Sequence, residues 1–208
     1  MSLWGRVFAA GYDGFMATTE RASLGRIRRE LMTGAAGRVL EIGGGTGANL
    51  PFYGAGVSQL IITEPEEPMA RRLERKLRGY QLPIQVLRAR AERLPLESES
   101  IDCAVSTLVL CTVAAPAQAL AEVRRVLKRQ GRLLLVEHVR SEDPALARWQ
   151  DRLRGVWGLF GHGCQCNRAT IQNLRNAGFS VGDLRREDLS KAPAIVRPVV
   201  IGAAVRDG

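Results

Sequence analysis

Val39-Leu40-Glu41-Ile42-Gly43-Gly44-Gly45-Thr46-Gly47-Ala48-Asn49 reads as a buried strand running into a glycine turn that opens a helix. Glycine lets the backbone of such a turn approach a ligand closely, and the helix start offers free N–H groups to a negative one. Outward from it, short β-rich runs alternate with helical stretches at the spacing of successive βα units around a largely parallel sheet. The predicted strands are 38–42, 59–64, 84–87, 101–107 and 132–138. Between them, 68–79 carries Met69, Leu73 and Leu77 at four-residue spacing, and 116–130 sets Leu120, Val123 and Leu127 on one face before Gly131. Both read as helices.

The last third changes character. Residues 144–160 read as a helix with Leu146, Trp149, Leu153 and Trp157 on one side. A Gly/Cys-rich link leads to a helix from about residue 168, capped by Asn167 and ended by Gly178. Residues 179–184 and 199–205 read as closing strands. With 208 residues and 46% hydrophobic content, the chain can bury one sizeable core but not two ordinary domains.

Thirty basic residues, 27 of them Arg, against 21 acidic ones give a net charge of +9. Such a balance could meet nucleic acid, an anionic membrane or an acidic substrate. The basic residues come in pairs such as Arg28-Arg29 and Arg71-Arg72 and never form a block, so they read as solvated faces. No recognition module appears and Arg is not interleaved with aromatics, so no nucleic-acid partner is expected. Peripheral contact with an anionic membrane is the remaining use for the charge. The longest nearly apolar run, 103–117, has 15 residues interrupted by Pro116, too short to span a bilayer. The first residues lack the charged start and apolar middle of a secretory signal. A cytoplasmic protein with reduced thiols is expected from this and from only four cysteines.

Two cofactors compete for the glycine turn. Gly43, Gly45 and Ala48 fit the dinucleotide pattern G-x-G-x-x-G/A, and Glu64 follows Gly43 by 21 residues, near the position of an acidic ribose ligand. The same stretch, with Glu41, Gly43, Gly45 and Gly47, resembles the acidic-x-Gly-x-Gly-x-Gly loop of class I S-adenosylmethionine methyltransferases. That resemblance implies a Rossmann-like, seven-stranded, mostly parallel sheet with helices on both faces, and S-adenosylmethionine as cofactor. It implies that Glu41 faces the ammonium at the methionine end, where a pyrophosphate would not welcome a carboxylate. It also implies that Glu64 accepts the ribose hydroxyls, that Pro65 flanks the adenine edge, and that a backbone N–H of the Ala91-Glu92 stretch meets the ring. Asn49, Thr107 and Leu108 complete the implied cofactor set. Arg90 departs from the pattern, which usually has Asp there.

A narrower resemblance runs from Tyr12 almost to the end, to small methyltransferase-like enzymes related to the membrane-associated thiol S-methyltransferases of animals and to bacterial quinone- or phospholipid-methyltransferase-like relatives. It rests on Phe52-Tyr53, on 106–111 through Leu110-Cys111, on Glu137-His138-Val139, on Gly163-Cys164 with Arg168, and on Arg197-Pro198. It implies one domain over 1–208: a helical lid at 1–34, a cofactor-binding core at 35–138, a lid and acceptor region at 139–178 and final strands at 179–208. Gly44 stands where the group usually has Cys or Ser, which is expected to loosen the loop. The hydrophobic anchor of the animal enzymes is missing, which points to a soluble protein.

Transfer of a methyl group from a sulfonium is an in-line displacement, so aligning the acceptor supplies much of the acceleration. A thiol acceptor, the first expectation, needs little beyond deprotonation; a phenol, quinol, amine or phospholipid headgroup, the alternatives, would need a general base. His138, at the carboxyl end of the fifth strand, is the candidate base, the alternative being a histidine that holds the strand end. His162 lies in a link that could cover the pocket or stand exposed. Cys111, Cys164 and Trp157 are candidate acceptor contacts. His162, Cys164 and Cys166 could supply two metal ligands, but a closed zinc site wants four, and no metal is expected. Trp4, Phe8, Tyr12 and Phe15 recur at nearly helical spacing and, with Trp149, Trp157 and Phe160, either pack in the core or close a lid over a small hydrophobic acceptor, Tyr12 reaching the cofactor carboxylate.

Overall fold

The computed structural model describes residues 3–208, with side chains from residue 11 onward. The expected roles of the Trp4 and Phe8 side chains therefore lie outside what is described. Helices α1 (Leu3–Thr19) and α2 (Gly25–Met32) are joined by a π-helical turn, Glu20–Leu24. Then come β1 (Gly37–Ile42), β2 (Val57–Thr63), α3 (Glu67–Lys76), β3 (Ile84–Leu87), β4 (Ile101–Thr107), α4 (Pro116–Val126) and β5 (Leu127–His138). The last third holds α5 (Pro144–Phe160), α6 (Thr170–Asn176), β6 (Phe179–Asp188) and β7 (Pro198–Arg206).

Among the described residues, seven strands form one sheet in the order β3-β2-β1-β4-β5-β7-β6. The first five strands are parallel, and β7 is antiparallel to both neighbours. Parallel strands need long crossovers, and these cover both faces of the sheet, so the central strands are mostly apolar and buried on both sides, with polar residues such as Glu41, Thr107 and Glu137 gathered at their carboxyl ends. Alternate residues feed opposite layers. Val39, Leu60, Ile62 and Val105 pack with Leu24, Ile27 and Leu31 from α2 and the turn before it. Leu40, Ile61 and Ala104 pack with Leu120 and Val123 of α4 and Leu174 of α6. No described helix is long and apolar enough to cross a membrane.

Four local expectations change, the first being the cap of α6: its N-cap is Ala169, and Asn167 donates instead to Asp151 at 2.9 Å. The glycine turn does not open an α-helix: it passes through consecutive turns into a single 3₁₀ turn, Leu50–Phe52, and Tyr53 is already extended. The helix expected over 116–130 ends at Val126, and Leu127 begins β5 opposite Ile101. Gly44 does not loosen its loop. A Cβ on it would lie 2.2 Å from Cγ2 of the buried Ile62, so the loop is pressed against β2 more closely than a side chain permits. Gly43, with φ of +59°, occupies the left-handed region at the end of β1, where a Cβ would also meet Val109 at 2.6 Å.

Candidate active site

The strand order reverses direction between β1 and β4, and there, beyond the carboxyl ends of the parallel strands, a cavity of about 330 Å³ opens. Gly43, Gly45, Thr107 and Leu108 line its middle. Toward β2 and β3 the wall is Glu64, Pro65, Arg90, Ala91 and Glu92. Toward β5 it is Cys111, His138, Trp157, His162 and Cys164, with Tyr12 and Phe15 brought over by α1.

Three of the expected cofactor residues, Glu41, Gly47 and Asn49, do not reach this wall. Glu41 is buried behind it, accepting from Asn49 Nδ2 at 2.8 Å and from the Tyr53 hydroxyl at 2.7 Å. Burial pushes its carboxyl up, against those two hydrogen bonds and the nearby Arg28 guanidinium. Asn49 is fully enclosed, with its amide committed to Glu41, Arg28 and Thr107. At Gly47 a Cβ would meet Leu50 and Leu73, so this glycine serves close packing.

Sequence reading missed the centre of that network. Arg28, read as one of a surface pair, is buried; it donates to Asn49 Oδ1 at 2.7 Å and Thr107 Oγ1 at 3.0 Å, and pairs with Glu20 at 3.0 Å. A signal existed: Leu24, Ile27, Arg28 and Leu31 stand at the spacing of one helix face, so Arg28 lies on the apolar stripe of α2. The Thr107 hydroxyl accepts from both Arg28 and Asn49 Nδ2, which turns its own proton away from them on a residue that lines the cavity. Burial pushes the Tyr12 phenol up to about 12, with Arg28 pulling the other way.

Glu64 is held by two backbone donors, Gly45 N and Glu66 N, each at 2.8 Å and each to a different oxygen. Burial raises its carboxyl, and those bonds oppose the rise. Its remaining lone pairs serve the cavity it lines. Glu92 accepts from Ala115 N at 3.2 Å.

The opposite wall hangs on Glu137, which is wholly buried. Its carboxylate takes Ser106 Oγ at 2.6 Å, Val109 N at 2.9 Å, Leu110 N at 3.0 Å and Cys111 N at 3.1 Å. Four donors on one desolvated carboxylate fix the loop after β4, in which Leu108 takes a φ of +60°. Arg168 buttresses the same loop from outside, donating to Leu110 O at 2.9 Å and to Val113 O. Gln150 of α5 shares its two amide hydrogens among the carbonyls of Val139, Cys166 and Ile195 and accepts from Ser141 N.

His138 is buried, and burial pushes its imidazole down to about 4, leaving it neutral at pH 7. Its Nδ1 has no hydrogen-bond partner among the described residues, and neither has Trp157 Nε1 an oxygen or nitrogen one. Cys111 and Cys164 approach to 3.8 Å between sulfurs. His162, with φ of +50°, sits in the tight turn that closes this end.

A methyltransferase-domain family profile matches residues 40–135. Human thiol S-methyltransferase TMT1B is 35% identical over 181 residues, covering 84% of this chain and 74% of that one. Human thiol S-methyltransferase TMT1A is 31% identical over 205 residues, covering 96% and 83%. Among solved structures, an S-adenosylmethionine-dependent methyltransferase of Thermotoga maritima, described as a possible histamine N-methyltransferase, superposes with a TM-score of 0.75 at 25% identity over all of both chains.

Proposed function

The chain belongs to the S-adenosylmethionine-dependent methyltransferases, in the family of the thiol S-methyltransferases, and we propose that its acceptor is a small hydrophobic thiol bound at the β5 end of the cavity. One observation carries this reading. That end is walled by Phe15, Val113, Trp157 and cysteine side chains, yet holds two buried polar atoms without oxygen or nitrogen partners, His138 Nδ1 and Trp157 Nε1. Such a lining suits an apolar molecule with one weakly polar reacting atom.

The residues also fit the cofactor. When bound, S-adenosylmethionine supplies an electrophilic methyl carbon. Glu64 accepts the ribose hydroxyls through its remaining lone pairs, Pro65 flanks the adenine, and backbone at Ala91 and Glu92 meets the ring edge. Gly43 and Gly45 let the backbone come close, while Tyr12, Thr107 and Leu108 face the methionine portion. Glu41, Gly47 and Asn49 act from behind, holding the turn and Thr107. His138 Nδ1 accepts a hydrogen bond from the acceptor S–H. Because an imidazole titrating near 4 is a weak base, the ionised fraction of the thiol sets the rate, and turnover rises toward the acceptor's own pKa.

The cavity mouth favours acceptors that partition into membranes. Phe15 is 63% exposed on the wall itself, and the last turn of α5 before Gly161 exposes Leu159 at 73% and Phe160 at 65%. Arg148, Arg152 and Arg154 lie along the same helix, suiting peripheral contact with an anionic bilayer.

Incubation with methyl-labelled cofactor and a panel of thiols, phenols, quinols and amines tests the acceptor. Label in apolar thiols is expected; label only in a phenol or an amine refutes the reading. Anionic liposomes at low salt should sediment the protein, and the Phe160→Ser variant should bind them less.

A further inference from the structure

The proposed reaction uses one acceptor sulfur, yet the acceptor end of the cavity carries two protein sulfurs of its own, Cys111 and Cys164, 3.8 Å apart. They lie on two separate segments. Cys111 is in the loop held by Glu137, and Cys164 follows the Gly161-His162-Gly163 turn after α5. The segments are already joined by backbone, since Gln165 N donates to Cys111 O at 2.7 Å. A disulfide needs the sulfurs to close to about 2.05 Å, an approach a side-chain rotation at the end of a glycine-flanked turn can supply.

We propose that Cys164 and Cys111 form a thiol–disulfide exchange pair facing the acceptor site, with small-molecule disulfides as substrate and Cys164 as the attacking sulfur. Where those disulfides are oxidised forms of the acceptor, this rests on the thiol reading above; the exchange itself does not. The Cys164 thiolate attacks one sulfur of RS–SR, a bond forms from Cys164 Sγ to that sulfur, and RS⁻ leaves to take a proton. Cys111 then loses its proton and attacks Cys164 Sγ, releasing the second thiol and leaving a Cys111–Cys164 disulfide. The small disulfide is the oxidant, reduced to two thiols, and the protein gives up two thiol hydrogens. The product forms inside the cavity where a methyl acceptor is needed, and the closed pair holds the wall oxidised until a dithiol reduces it.

The order of attack follows from the surroundings. Cys164 is the more accessible of the two, 6% exposed against 1% for Cys111, and the Trp157 indole N–H faces its sulfur and favours the thiolate there, whereas Cys111 lies wholly buried behind it. The other two cysteines are poor competitors: burial pushes Cys103 up to about 12 and Cys166 up to about 11, and neither lines the cavity.

The test treats the reduced full-length protein with hydroxyethyl disulfide, blocks remaining thiols with an alkylating agent and maps the cysteine peptides by mass. A Cys111–Cys164 crosslink is expected, reversed by dithiothreitol, with Cys103 and Cys166 alkylated at least tenfold more than they are oxidised. In Cys111→Ser the hydroxyethylthio group should remain on Cys164; in Cys164→Ser no adduct should form at Cys111. Adducts on Cys103 or Cys166 first, or an unmodified Cys164 in both wild type and Cys111→Ser, overturn the proposal. The readout needs neither methyl donor nor methyl acceptor. A chain that methylates only phenols would still crosslink, and one that methylates thiols without crosslinking would sink this inference alone.

Discussion

The two ends of the cavity are built by different means. At the β2 and β3 end the wall is the short segments that leave the strands: Glu64 is the first residue past β2, fixed by two backbone N–H groups of its immediate surroundings. At the β5 end only His138 comes from a strand end; the rest of the wall is loop, turn and helix, held by polar side chains: Glu137 with four donors, Gln150 with three carbonyls and the half-buried Arg168 with two. Where strands deliver a residue, local backbone suffices. Where loops must be shaped for one acceptor, the molecule uses desolvated charge, which costs more to disturb.

The sharpest way to break that contrast is Glu137→Ala. It leaves four donors of the loop without a partner in a dry site, and the expected loss is about 4 kcal/mol by urea unfolding, with loss of methyl transfer. A loss below about 1 kcal/mol would mean that the loop does not depend on this carboxylate.

His138 sharpens the same contrast through pH. Its folded pKa, about 4, lies below the ordinary histidine value, so between the two the unfolded chain carries a proton that the native one does not. The stability this represents is present in full above about pH 6.5 and is lost as pH falls toward 4, reaching about 3 kcal/mol. Wild type should therefore lose about that much more stability than His138→Gln between pH 7 and pH 4. Parallel losses would show that the imidazole is not desolvated.

How far each end was legible in the sequence follows the same division. The parallel sheet and the places of Glu64, Pro65, Ala91 and Glu92 along the cavity could be read, because strand ends follow from apolar runs and glycine turns. Glu41 and Asn49 misled because their position in the chain fixes the strand end but not what else arrives there. Arg28, 21 residues before Asn49, occupies the polar space behind the wall, and only the packing of α2 shows it. Glu137 stood in the sequence as a carboxylate inside an apolar strand, which is a signal of a buried hub, but its four partners lie 26 to 31 residues away and no spacing rule finds them.

Gly44 offers a test in the turn between the two ends. A serine there would place its Cβ 2.2 Å from Ile62 Cγ2, and a β-branched side chain in a packed core yields poorly. Gly44→Ser should cost about 2 kcal/mol, and Ile62→Ala in the same chain should recover part of that strain, a coupling measurable in a double-mutant cycle. Additive losses would place the two residues out of contact.

Glu64→Gln is the mildest change and bears most directly on the cofactor end. The amide keeps one acceptor oxygen for Gly45 N or Glu66 N but turns an N–H donor toward the other, at a cavity wall where water can reach, so stability should fall by only about 1 kcal/mol. Binding should suffer more. With Glu64 in its proposed role as acceptor of the ribose hydroxyls, replacing the carboxylate by a neutral amide should weaken S-adenosylhomocysteine about tenfold in calorimetry, or about 1.4 kcal/mol. Glu137→Gln should show the reverse pattern, a larger loss of stability with a smaller loss of cofactor affinity, because its carboxylate touches the loop and not the cavity. If the two variants lose stability and affinity in the same proportion, the division between an end built by strands and an end built by buried charge fails.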